Sequence, residues 1–174
     1  MKPVISIGNQ DFQSIREKHS FYIDKTSFIK EWWENLDVVT LITRPRRFGK
    51  TLNMSMTEAF FSDKYAGRED LFEDLSIWGY PEYQELQGKY PTIFMSFADI
   101  KATTYKGARS AIIQKLVRLY SKYDYINTDR ILRESDKDYI SSVKADMTDE
   151  IAAVSINYLC DYLCRYSGKK VLIG

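Results

Sequence analysis

Residues 38–43 read Val38-Val39-Thr40-Leu41-Ile42-Thr43, and Arg44-Pro45-Arg46-Arg47-Phe48-Gly49-Lys50-Thr51 follows at once. A β-branched run without polar alternation is what a strand buried on both faces of a parallel sheet requires. From Leu52 the period changes: Leu52, Met56, Ala59 and Phe60 recur at helical spacing through about Ser62. A strand passing through one short loop into a helix restricts the fold more than any other feature here. It demands crossover connections and a sheet covered by helices. Pro45 supports the boundary, because the residue before a proline is pushed out of the helical region and Arg44 therefore stays extended.

The remaining chain extends the same pattern. Residues 11–33 read as a helix, a short extended piece at 21–23 and a second helix carrying Phe28 and Trp32. Residues 63–90 mix glycines and Pro81 with charges and aromatics, a loop-rich connection with a short helix around 71–75. Residues 92–97 predict a second strand entered through Pro91, a position where strands tolerate proline. Ala108, Ile112, Leu116, Leu119 and Tyr123 form one helical stripe; Ile151, Val154, Tyr158, Leu159, Tyr162 and Leu163 form another. Asp149 and Glu150 suit the second helix's N-terminus, and Gly168 its C-terminal stop. Val171-Leu172-Ile173 then begins a third buried strand. The expectation is an α/β fold: a three-layer parallel sheet flanked by helices, with residues 1–174 the N-terminal portion of one domain that is truncated inside a core strand.

Composition narrows the partners. With 25 Lys plus Arg against 24 Asp plus Glu, the net charge of +1 gives no global attraction to nucleic acid or anionic membrane. Nucleic acid is only weakly suggested, by the thirteen tyrosines. No apolar stretch nears the roughly 20 residues a membrane span needs, so a membrane partner is not expected. Cys160 and Cys164 fall beside an apolar stripe as small core residues, His19 reads as a surface residue, and a reducing cytoplasmic setting fits.

The loop is therefore a local exception. Residues 38–57 hold four cations, Arg44, Arg46, Arg47 and Lys50, and no acid. Gly49-Lys50-Thr51 matches the second half of the phosphate-loop pattern G-x-x-x-x-G-K-[ST], with Arg44 where the first glycine belongs. Such a triplet arises by chance in roughly one chain in ten of this length, so the flanking strand and helix carry the argument. Placed at a helix N-terminus, the amides of residues 47–51 face an anion. Gly49 permits close backbone approach, Lys50 reaches the β and γ phosphates, and the Thr51 hydroxyl ligates magnesium. Lys50 and Thr51 are thus the expected catalytic pair, Thr51 the metal contact, and ATP with Mg2+ the expected ligand.

Three stretches together resemble the AAA-ATPase-like family of bacterial proteins: Phe21-Tyr22-Ile23-Asp24-Lys25-Thr26, residues 43–51, and Tyr90-Pro91-Thr92-Ile93-Phe94-Met95-Ser96-Phe97-Ala98-Asp99-Ile100-Lys101. In that family arginine routinely occupies the first-glycine position. The resemblance implies a P-loop ATPase whose nucleotide is held by Arg44, Arg46, Arg47, Phe48, Gly49, Lys50 and Thr51. Asp24, Lys25 and Thr26 either face the nucleotide or cap the following helix; Arg46 and Arg47 either clamp phosphate or pair with acids of a neighbouring subunit in a homo-oligomer. The resemblance also implies a C-terminal nuclease-like domain in the full-length protein, and an Asp-Glu pair after a strand like Val171-Leu172-Ile173. The sequence stops before that pair, with Gly174 where the family keeps another apolar residue, so for lack of these carboxylates hydrolysis by this chain is expected to be impaired. Two alternatives remain: a non-hydrolysing interaction scaffold, and a magnesium nuclease-associated module suggested by Glu82 with Asp99 and Lys101. Asp99, at a strand's carboxyl end, is also placed where open α/β sheets bind ligands.

Overall fold

The computed structural model describes residues 4–43, 45, 47–128 and 131–174. They form a mostly helical chain with a small two-stranded parallel sheet, consistent with an α/β fold. Two compact units divide it, residues 1–92 and residues 93–174.

In the first unit, α1 (Phe12–Glu17) is capped by the Asp11 side chain, which accepts from Ser14 N. α2 (Ser27–Asn35) and α3 (Lys50–Phe61) follow, then 3-10 turns at Asp63–Tyr65, Glu69–Leu71 and Ser76–Gly79 and the short α4 (Pro81–Gln84). α3 buries Met56, Ala59, Phe60 and Phe61. Around them the rings of Phe12 and Phe72 stack at 5.1 Å, Phe60 meets Phe72 edge-on at 5.1 Å, and Trp33 stacks on Phe61 at 5.0 Å. Aromatic pairs in such geometry add about 0.5–1.5 kcal/mol each beyond their burial. The C-terminal end of α3 is tied to residues 88–90: Gly88 N donates to Phe60 O at 2.8 Å and Tyr90 N to Phe61 O at 2.8 Å.

In the second unit, α5 (Tyr105–Lys122), α6 (Glu134–Ser142) and α7 (Asp149–Ser167) accompany β2 (Leu172–Ile173), which pairs with β1 (Thr92–Ile93). Gly174 N donates to Ile93 O at 2.9 Å and accepts at its own carbonyl from Met95 N at 2.8 Å. One residue bracketed by positions i and i+2 of its neighbour is the parallel pattern. Ile93, Ile113, Leu116, Leu119, Leu159 and Leu163 lie in one core cluster. Tyr120 and Tyr139 hydroxyls each donate at 2.7 Å to α7 carbonyls, those of Ser155 and Ile151.

Several expectations need correction. Residues 38–43 form no strand; Val38, Val39 and Leu41 are 99, 83 and 82% exposed, and Trp32 Nε1 donates to Thr40 Oγ1 at 3.1 Å. β-propensity becomes a strand only where a neighbour completes the ladder and covers the side chains, and here these side chains meet solvent. The strand at 92–97 is real but reduced to two residues, because pairing reaches only the segment opposite Gly174. Both helical stripes are turned slightly from the expected ones. Ile113 is buried while Ile112 is 39% exposed, and Ser155 is buried while Val154 and Tyr158 are exposed. Cys160 is half-buried and Cys164 is exposed, so only Cys160 borders the core.

Candidate functional site

The loop enters α3 through two left-handed residues, Arg47 at φ 67° and Gly49 at φ 75°. Gly49 is the N-cap, a position where a left-handed backbone favours glycine. It offers no side-chain oxygen to the helix's first amides, and the first turn carries no acid. A helix N-terminus without its own anionic cap keeps the positive end of its dipole available to an outside anion. Lys50 is the first helical residue and half-buried, Thr51 next to it is exposed, and Phe48 is exposed as well. Asn53 N donates to Gly49 O at 2.8 Å, closing the first turn. Arg44 and Arg46 lie outside the described residues.

α3 is held rigidly behind this end. Phe12 N donates to Ser55 Oγ at 3.1 Å, and the Tyr22 hydroxyl to Met56 Sδ at 3.2 Å, so α1 and the 21–23 piece both grip the helix. Burial is the main cause that pushes the Tyr22 phenol up to about 12, keeping it a neutral donor.

Asp24 and Lys25 diverge. Asp24 Oδ1 accepts from Thr26 N at 2.8 Å and from Thr26 Oγ1 at 2.7 Å, and its Oδ2 accepts from Ser76 N at 2.7 Å. The Thr26 hydroxyl, fully buried, in turn accepts from Ile77 N at 3.1 Å. Asp24 also lines an open cavity of about 380 Å3 with Arg16, His19 and Asp74. Its carboxylate thus braces the turn before α2 against the 3-10 turn at Ser76–Gly79. Lys25 instead reaches the loop that opens α3: its Nζ lies 3.4 Å from where a Cβ on Gly49 would stand. Sequence reasoning grouped Lys25 with Asp24 and Thr26 but drew only Asp24 into the site. Nothing local in the sequence signals that residues 25 and 49 meet.

The brace makes a testable contribution. Desolvation pushes the Asp24 carboxyl up, but hydrogen bonds from Ser76 and Thr26 outweigh it and hold the group below the usual carboxylate range. Asp24→Asn is expected to destabilise the first unit by about 1–2 kcal/mol at pH 7, because an amide NH2 would face the Ser76 amide donor. A carboxyl with a depressed folded pKa contributes fully above its unfolded value, near 4, and loses that contribution as pH falls through the folded value. The gap between wild type and variant in urea unfolding should therefore narrow as pH falls below the unfolded value, near 4. A gap that persists unchanged at pH 2.5 would show that the carboxylate charge is not the cause.

In the second unit, Asp99 pairs with Lys115 at 2.6 Å, and that ammonium, donating to it, holds its carboxyl below the usual range. Among the described residues no group of three or more His, Cys, Asp or Glu side chains is arranged to hold a metal ion. No described helix is long and apolar enough to cross a membrane.

Comparison with known proteins places the chain. The sequence model of the family described as predicted AAA-ATPase matches residues 6–173. The chain belongs to this AAA-ATPase-like family. Over 94 residues, 53% of this chain, it is 32% identical to an "Uncharacterized protein in vnfD 5'region" of Azotobacter chroococcum mcd 1. That match spans 17% of the relative's length. No solved structure matches.

Proposed function

We propose that this chain binds Mg-ATP through residues 44–51, as the nucleotide-holding part of an ATPase. Family membership supports a nucleotide-binding, ATPase-like role. The observation that carries the finer reading is the start of α3: a left-handed Gly49, then Lys50, then an acid-free first turn. Lys50 binds the β and γ phosphates, Thr51 offers its hydroxyl to the metal, and Arg44, Arg46 and Arg47 supply further positive charge. Asp24 contributes by fixing the turn beside the loop. The bound Mg-ATP would supply the reactive phosphoanhydride and a divalent charge to neutralise its oxygens. The donor set fits magnesium in this form, because Mg2+ usually keeps waters and phosphate oxygens and needs few protein ligands. Calorimetric titration of MgATP into the folded chain tests the reading. No heat and no thermal shift at millimolar ATP would overturn it.

An interaction scaffold is the second reading, and a specific observation favours it. Leu36, Val38, Val39 and Leu41 are all at least 80% exposed, an apolar stretch that suits a protein contact. Cytoplasmic placement, from the cysteine usage, a homo-oligomer, from the cations Arg46 and Arg47, and a nuclease-like domain elsewhere in the full-length protein, from the family resemblance, are part of the proposal.

Turnover should separate from binding. Within these 174 residues β2 is followed by Gly174 and not by an Asp-Glu pair. Phosphoryl transfer needs metal and water to be positioned as well as phosphates held. A polypeptide of these residues is expected to bind ATP while releasing phosphate hardly faster than solution. Phosphate release at saturating ATP is the assay, with Lys50→Ala as the contamination control. Lysine-dependent release would mean that another acid in the chain serves.

A further inference from the structure

We propose that Lys25 is a further phosphate-binding cation of the loop, reaching the triphosphate beside Gly49. The proposal rests on the Mg-ATP reading above and adds a residue to it. Its basis is the meeting of two segments 24 residues apart: the Lys25 ammonium sits 3.4 Å from the Cβ position of Gly49, beside the backbone that opens α3.

Charge makes this placement informative. A lysine beside a helix N-terminus meets the positive end of the dipole, and Lys50 adds a like charge one residue further on. Lys25 belongs to none of the ion pairs formed among the described residues of its unit. The neighbouring acid, Asp24, is turned away, with both oxygens on Thr26 and Ser76. An anion with several oxygens reverses the sign of all these interactions together. The triphosphate of a nucleotide is such an anion, and a Gly49 without a Cβ lets it approach the backbone.

The placement is also held firmly. Phe28 N donates to Lys25 O at 3.1 Å, Ile29 N to Thr26 O at 2.9 Å, and the brace to Ser76 and Ile77 fixes the turn on its other flank. None of these bonds uses the Lys25 side chain, so removing its charge leaves the turn intact. A cation aimed by a rigid turn loses less freedom on binding than one on a mobile loop.

The test uses the 174-residue chain with MgATP as the probe. Lys25→Gln should weaken MgATP binding about fivefold, roughly 1 kcal/mol, with the ligand-free unfolding midpoint unchanged or slightly raised because a like charge at the start of α3 is gone, and Lys25→Arg should restore most of the affinity. A second measurement needs no variant. MgATP should protect Lys25 and Lys50 of the wild-type chain from acylation, read by mass spectrometry, while Lys18 labels at the same rate with and without nucleotide. Wild-type binding with no effect of Lys25→Gln, or no protection of Lys25, overturns the Lys25 proposal and leaves the phosphate loop standing. No MgATP binding by the wild type overturns both.

Discussion

Lys50→Ala is expected to weaken MgATP binding tenfold or more, at least about 1.4 kcal/mol, without a comparable loss of stability. Two magnitudes set the expectation. A unit charge 4 Å from another near a protein surface interacts by about 4 kcal/mol before desolvation is subtracted, and a triphosphate presents several charges. Even a large desolvation cost therefore leaves more than a factor of ten. The helix does not suffer in exchange, because alanine is the strongest helix former and Lys50 stands at the first position of α3. Calorimetry gives the affinity, and the unfolding midpoint without nucleotide gives the control. Added salt should reduce the difference between wild type and variant, since about 8 Å of screening length at physiological ionic strength reaches a half-buried lysine in part. Equal affinity in the two proteins would mean that the Gly49-Lys50-Thr51 motif is a basic loop and nothing more. The Lys25 measurement would then lose its foundation as well.

The sequence made some of this visible for identifiable reasons. α7 was readable because a long apolar stripe coincided with acids at one end and Gly168 at the other, and Gly168 does close it in the left-handed region. The position of each stripe was less readable, because one residue turns a helix by about 100° and Ile112 and Ile113 are chemically alike. α6 gave no warning: it buries no residue, and its first turn is secured by Asp136, which accepts from Arg133 N at 2.9 Å and pairs with Arg165 at 3.0 Å. Charge pairing of this kind leaves no periodic trace. Residues 38–43 erred in the other direction, since their composition announces a buried strand while their surroundings supply no ladder. At the loop, the helix that opens at Lys50 behind Gly49 was legible from the period beginning at Leu52, while the strand before it, on which the phosphate-loop argument also leaned, is not formed. The approach of Lys25 to Gly49 was not legible, because it depends on the Asp24 and Thr26 bonds to residues 76 and 77.

Gly88→Ala should be among the most damaging single-methyl additions to the first unit. Its φ of +67° lies where a side chain costs about 1–2 kcal/mol. A Cβ there would also stand 2.5 Å from Ala66 Cα and 2.9 Å from Ala66 N. Those are backbone atoms, so no flexible side chain can swing aside. The chain around Gly88 is fixed from both directions, by its own amide to Phe60 O at 2.8 Å and by the buried Gln87 Nε2 to Tyr65 O at 2.8 Å. Relieving the clash therefore pulls on the C-terminal turn of α3, whose Phe60 and Phe61 form the aromatic core. Overpacking of this kind costs about 1–3 kcal/mol, and with the backbone term the total should be about 2–5 kcal/mol. Gly67→Ala separates the two causes. It has the same handedness, φ +78°, but nothing within 4 Å of its Cβ, so it should lose only the backbone part. All three tryptophans, Trp32, Trp33 and Trp78, lie in residues 1–92, so tryptophan fluorescence during urea unfolding reports this unit selectively. Equal destabilisation by the two alanine variants would show that the contact with Ala66 yields at no cost, and that conformation alone selects glycine at position 88.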